Sequence, residues 1–101
     1  MIYGVVSVRV KPGKMEEYVA LFKSVAGKVR QEKGCVQYVA AADFNIGAPN
    51  QSFDKNVVTV LEKWESLEAL QKHLTAPHMG DFFKKEGPLV ESTVLKMLQE
   101  I

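Results

Sequence analysis

Residues 64–78 hold the only tryptophan and both histidines of the chain, Trp64, His73 and His78. An indole at a strand end, followed by two imidazoles on short helices, supplies a flat apolar wall and groups that exchange protons near neutral pH. That combination suits a small-molecule pocket in which a histidine serves as base, acid or hydrogen-bond donor. Each residue also has a plainer reading. Trp64 either fills the core and gives its N–H to a backbone carbonyl, or walls the pocket and gives that N–H to a ligand oxygen. His73 flanks the apolar stripe Leu67, Leu70 and Leu74, and His78 flanks Met79, Phe82 and Phe83. Such a position suits a half-buried surface histidine as well as a functional one. His73, Trp64 and His78 are the candidate catalytic residues.

Tyr38 reads as a core residue or as a pocket donor, and Phe82 and Phe83 as core or pocket wall. Arg9 and Lys63 lie within strands, where they either hold an anionic group or turn to solvent. Tyr38, Phe82, Phe83 and Arg9 are the candidate substrate-binding residues. No metal is expected. The histidines stand on either side of the break that Pro77 marks, and only a carboxylate such as Glu62 or Glu65 is near enough in sequence to add a ligand. The chain carries no Ser-His-Asp spacing, phosphate-cradling glycine loop or nucleotide fingerprint.

The scaffold for these groups follows from periodicity. Ile2–Lys11 is rich in β-branched residues and stops at Pro12-Gly13, which predicts a strand and a turn. Apolar residues recur at helical spacing between Met15 and Glu32, and Gly34 ends that helix. Strands are expected at Cys35–Ala42, Val57–Trp64 and Val90–Met97. Ser66 can cap a short helix over Leu67–Leu74, and Pro77 suits the first turn of another that ends near Gly87-Pro88. Phe44–Asn56, with Gly47, Pro49 and several asparagines, is a long loop that fits a lid or an arm crossing a dimer. The order β-α-β-β-α-α-β is that of an α+β, ferredoxin-like sandwich, an antiparallel sheet with helices on one face. Strand parity makes both sheet faces apolar: Val6, Val8 and Val10 share one face of the first strand, Tyr3 and Val5 the other. Helices cover one face only, so a homodimer packed through the open sheet face is expected.

At 101 residues, with 47% hydrophobic and 25% charged residues, the chain is of a size and composition for one domain, spanning 1–101. A formal net charge of +1 without a basic block makes nucleic acid and membrane surfaces unexpected partners. Cys35 is the only cysteine. With no basic leader in MIYGVVSVRV, it suggests a reducing, cytoplasmic setting.

Three segments carry a family resemblance. They are Val29-Arg30-Gln31-Glu32-Lys33-Gly34-Cys35-Val36-Gln37-Tyr38, Leu61-Glu62-Lys63-Trp64-Glu65-Ser66, and the run from Ala69-Leu70 through His73-Leu74 to Pro77-His78. Together they resemble the antibiotic biosynthesis monooxygenase family of dimeric α/β barrel proteins, in particular its small quinol monooxygenase-like members. The resemblance implies oxidation of a small phenol- or quinol-type aromatic by dioxygen, with no metal, flavin or other cofactor. On that reading Trp64 positions the ring, His73 or His78 accepts the proton, and Tyr38 hydrogen-bonds a substrate oxygen. Haem-degrading relatives use an asparagine on the first strand, and none lies between Met1 and Lys11. Two other readings stand beside the monooxygenase, the first of them implied by the diversity of the family the chain resembles. One is an isomerase or lyase on a small polar or phosphorylated metabolite, held by Arg9, Lys63 and the histidines. The other is a non-catalytic dimeric small-molecule-binding module.

Overall fold

The β-branched and apolar segments become strands, and the amphipathic ones become helices that close over one side of them. In the computed structural model, which describes residues 1–101, the order is β1 (Ile2–Val10), α1 (Met15–Arg30), β2 (Cys35–Ala42), β3 (Val57–Trp64), α2 (Leu67–Leu74), α3 (Pro77–Glu86), a single 3-10 turn at Gly87–Leu89, and β4 (Val90–Gln99). The sheet runs β2-β3-β1-β4 with every neighbouring pair antiparallel. This is the expected α+β ferredoxin-like arrangement, and within one chain the sheet stays open, with β2 and β4 as its edges. No helix is long and apolar enough to cross a membrane.

Alternation along the strands sorts the two faces. Val6, Val8 and Val10 of β1 and Val58, Val60, Glu62 and Trp64 of β3 point toward the helices and are buried. They meet Tyr18, Phe22, Val25, Ala26 and Val29 of α1, whose periodic stripe therefore forms the other half of the core. The opposite face has Tyr3, Val5, Ser7 and Arg9 on β1, in register with Lys63, Leu61, Thr59 and Val57 on β3. It continues through Val39 on β2 and through Val94 and Leu98 on β4, all three exposed.

The turn from α1 into β2 fixes the later site. Helix α1 stops at Arg30, a little earlier than its periodicity suggests, and Glu32 then begins a hydrogen-bonded turn. The Glu32 amide donates to the Val29 carbonyl at 3.0 Å, and the Cys35 amide donates to the Glu32 carbonyl at 3.1 Å. Gly34 closes this turn with φ +88°, and its carbonyl accepts from the Glu65 amide at 2.8 Å. A Cβ at position 34 would lie 2.5 Å from Cβ of Ala69 on α2. Gly34→Ala therefore combines a left-handed backbone cost of about 1–2 kcal/mol with an overlap cost of about 1–3 kcal/mol. A fall in the urea midpoint with an unchanged slope is the expected result, and an unchanged midpoint would show that α2 shifts freely.

The two short helices start as their residues predict. Ser66 Oγ accepts the Ala69 amide at 3.1 Å, and Pro77 occupies the first turn of α3. The buried face of α2, however, is Ala69, Leu70 and His73, while Leu67 and Leu74 are exposed. The helix is rotated from the expected leucine stripe because His73 finds polar partners inside.

Candidate active site

A cleft of about 210 Å³ opens between the helix-facing side of the sheet and helices α1 to α3. Val6, Val8 and Val60 form its floor; Tyr18, Phe22, Met79 and Phe82 form its walls; Phe83, Glu86, Thr93 and Leu95 lie toward α3 and the β4 edge. Tyr38, Glu62 and His73 supply polar groups on the sheet and α2 side, and Glu86 and Thr93 add two toward the β4 edge. The rest of the lining is mostly apolar, and no lysine or arginine takes part. A dry apolar cavity of about 150 Å³ accepts a benzene ring. This cleft has the size for a small aromatic molecule.

Glu62 and His73 are the buried polar pair of the core. Trp64 Nε1 donates to Glu62 Oε1 at 2.9 Å, and the same oxygen is 3.9 Å from His73 Nε2. The Trp64 and His73 rings lie 4.5 Å apart between centroids, at 31°. Tyr38 stacks on Phe22 at 5.2 Å and meets the edge of His73 at 5.5 Å. Burial pushes the Glu62 carboxyl above the ordinary glutamate range. The Trp64 hydrogen bond and His73 draw it partly back, and Glu32 adds to the rise. Burial also raises Glu86, and it raises the Tyr38 phenol far enough to keep it protonated at any ordinary pH. The cleft therefore holds a tyrosine that can donate, and a carboxylate–imidazole pair suited to taking a proton from a bound hydroxyl.

The sequence profile of the antibiotic biosynthesis monooxygenases matches residues 1–85. The chain belongs to that family. It is 30% identical over 99 residues to the Escherichia coli K12 protein named "Probable quinol monooxygenase YgiN", an alignment covering 96% of this chain and 91% of that one. A conserved protein from Methanosarcina mazei Go1 superimposes with a TM-score of 0.87 at 23% identity, over 99% of this chain and 92% of the other. A crystal structure described as an antibiotic biosynthesis monooxygenase gives a TM-score of 0.84 at 18% identity, covering 100% and 99%. At those identities the two structures establish the shared fold.

Within this member of the monooxygenase family, the structure brings Tyr38, His73, Phe82 and Phe83 to the cleft and places three other candidates elsewhere. Trp64 has no exposed surface and stands behind Glu62; its N–H is used by that carboxylate and does not reach a ligand. His78 lies on α3 beside a separate surface dent with Leu21, Lys28 and Asp81. It contacts the site only through Glu32. Arg9 corrects the sequence reading most fully. Strand parity sends it to the uncovered face, where its Nη1 is 2.7 Å from Asp54 Oδ2 in the Phe44–Asn56 loop. Lys63 lies on that same face, 5.1 Å from the Tyr3 ring centre. No anion-binding site joins these cations to the histidines.

Two residues outside the expected set complete the constellation. In the sequence Glu62 reads only as a candidate metal ligand, although its alternation with Trp64 puts the two on one face of β3. Glu32 lies on the α1–β2 turn, where a glutamate ordinarily reads as solvated. Its Oε2 is 3.0 Å from His73 Nδ1 and 3.0 Å from His78 Nε2.

Proposed function

We propose that the protein is a cofactor-independent monooxygenase that oxidises a small phenol- or quinol-type aromatic with dioxygen. The observation that carries this reading is the lining of the cleft: apolar and aromatic walls around a buried carboxylate–imidazole pair, with no cation. Such a lining favours a neutral ligand that gives up a proton over one that arrives charged. A phosphorylated metabolite would face Glu62 and Glu86 without a lysine or arginine to balance it, which weighs against an isomerase or lyase on that class.

In this mechanism the aromatic ring lies against Phe82 and Phe83, and the Tyr38 hydroxyl donates to one substrate oxygen. The Glu62–His73 pair takes the hydroxyl proton, which leaves an electron-rich phenolate beside dioxygen. One oxygen atom then enters the ring at a C–H position and the other leaves as water, and the substrate, oxidised to the hydroxyquinone level, supplies all four electrons that dioxygen takes up. The departing oxygen receives the proton held by the protein and a second proton released by the oxidised substrate. Trp64 acts by holding Glu62 in place.

Oxygen uptake with 1,4-naphthohydroquinone, under metal-chelating conditions, tests the proposal. The expected result is uptake well above uncatalysed autoxidation that collapses in His73→Ala. Uptake equal to the uncatalysed rate, with no rise in melting temperature on adding the quinol, would favour a non-catalytic binding module instead. Sugar phosphates and haem in parallel melting experiments read the competing ligand classes.

The homodimer belongs to the same proposal. Val5, Val57 and Leu61, with the exposed Val39, Val94 and Leu98, make an apolar sheet face that no helix covers. Packing against a second copy removes it from water. Small-angle scattering should return the mass of two chains, and a monomeric mass at micromolar concentration would overturn the assembly. The lone Cys35, whose thiol burial pushes up, fits a small hydrophobe in a reducing, cytoplasmic setting.

A further inference from the structure

We propose that Glu32 is a positioning residue that holds His73 as its Nδ1–H tautomer, so that the unprotonated Nε2 faces Glu62 and the cleft. This rests on the reading above that Glu62 and His73 take up a substrate proton. An ionised carboxylate accepts hydrogen bonds and donates none. Glu32 Oε2 stands 3.0 Å from both His73 Nδ1 and His78 Nε2, so each of those nitrogens carries the hydrogen of its contact. In neutral His73 the lone pair then belongs to Nε2, the nitrogen 3.9 Å from Glu62 Oε1.

The geometry is built from three directions. Glu32 comes from the α1–β2 turn, His73 from α2 and His78 from α3, so one carboxylate oxygen ties the turn to both short helices. The side chains of His73 and Glu32 are 2% and 15% exposed, against 23% for His78, so the bond to His73 is the better shielded from water. The other titratable groups toward His73 are Glu62 on β3, Tyr38 on β2 and, across the cleft, Glu86 on α3. Lys72, its neighbour in sequence, is turned to Glu68 at 3.3 Å. His73 is thus flanked by two carboxylates and no fixed cation. When the substrate O–H breaks, the proton passes through the Glu62 carboxylate to form an Nε2–H bond. The resulting imidazolium, carrying hydrogens on both nitrogens, lies between Glu32 and Glu62. It returns the Nε2 proton by the same route to the departing oxygen, and no electrons pass through the ring.

The test reads the resting protein and its turnover together. Long-range proton–nitrogen NMR spectra of histidine-labelled protein report the His73 tautomer, which in the native chain should be Nδ1–H. Glu32→Leu, which cannot accept a hydrogen bond, should move the hydrogen to Nε2. It should also lower kcat for 1,4-naphthohydroquinone by about 100-fold or more, with KM changed less than about threefold. Glu32→Asp should restore the native tautomer and part of kcat. Should Glu32→Leu fail to fold, Glu32→Gln keeps the acceptor and the shape but removes the charge that stabilises the imidazolium. The acid limb of its kcat/KM profile should move to lower pH, because the charge of Glu32 is one of the causes that raise the Glu62 carboxyl of the proton-accepting pair. A native tautomer of Nε2–H, a tautomer unchanged in Glu32→Leu, or full kcat in that variant would overturn the proposal. An unmoved acid limb in Glu32→Gln would do the same. If the native protein oxidises no quinol, the proposed activity fails, while the tautomer still decides the role of Glu32.

Discussion

Glu62→Gln is expected to lower kcat/KM for quinol oxidation by about 100- to 10,000-fold while raising the melting temperature at neutral and alkaline pH. The two effects have one cause. Glu62 is 8% exposed, and burial raises its proton affinity in the native chain above that of the unfolded chain. The native state therefore binds the proton more tightly. Its stabilising contribution is complete below the ordinary glutamate range and is lost as pH rises through the raised native value. Glutamine has no charge to bury, and its Oε1 can still accept the Trp64 N–H, so the variant escapes that loss. It also cannot take a proton from the substrate. Calorimetry across acidic to alkaline buffers should show the two melting curves converge at acid pH and separate above it, with the variant higher. Retained activity would remove Glu62 from the proton path, and a lower melting temperature throughout would show that the carboxylate is a net stabiliser.

Trp64→Ala should cost about 3–5 kcal/mol, a large part of the roughly 5–15 kcal/mol that holds a domain of this size folded. The indole is fully buried at the end of β3, tilted onto His73, and its N–H is the donor to Glu62. Truncation opens a cavity and leaves a buried carboxylate short of a partner, two losses that add. A urea titration measures the cost; a loss below about 1 kcal/mol would mean that α2 collapses into the space. Trp64→Phe separates the contributions, since it keeps most of the ring and deletes the donor. Without the indole N–H the Glu62 carboxyl rises further, so the acid limb of kcat/KM should move to higher pH. An unmoved limb would show that the hydrogen bond has no influence on the proton acceptor.

Much of this architecture was legible in residue order. The bounds of β2, β3 and α2 coincide with those read from alternation, from Ser66 as a cap and from the break before Pro77, because each signal acts within a few residues of where it stands. Local rules were weaker at the edges of elements. Helix α1 gave way two residues early to the Glu32–Gly34 turn, and β4 ran on to Gln99, past the expected Met97. The site was legible in part: Tyr38, His73, Phe82 and Phe83 meet at the cleft, whereas Arg9 sits across the sheet. Parity showed that Arg9 shares a face with Tyr3 and Val5, but not that this was the face the helices leave open.

Residue order alone determined the element sequence, the antiparallel sandwich, its one open apolar face and the family, since these depend on periodicity and on short motifs. Only tertiary packing decided the chemistry. Glu32 stands 41 residues from His73 and 46 from His78, and no local pattern links a turn glutamate to imidazoles on two later helices. Packing α2 against Trp64 and that turn rotated His73 from the flank of a leucine stripe to its buried centre, between Glu32 and Glu62. The physical reason is the cost of an unpaired polar group in the core: once three ionisable side chains are enclosed there, they must be placed where they satisfy one another.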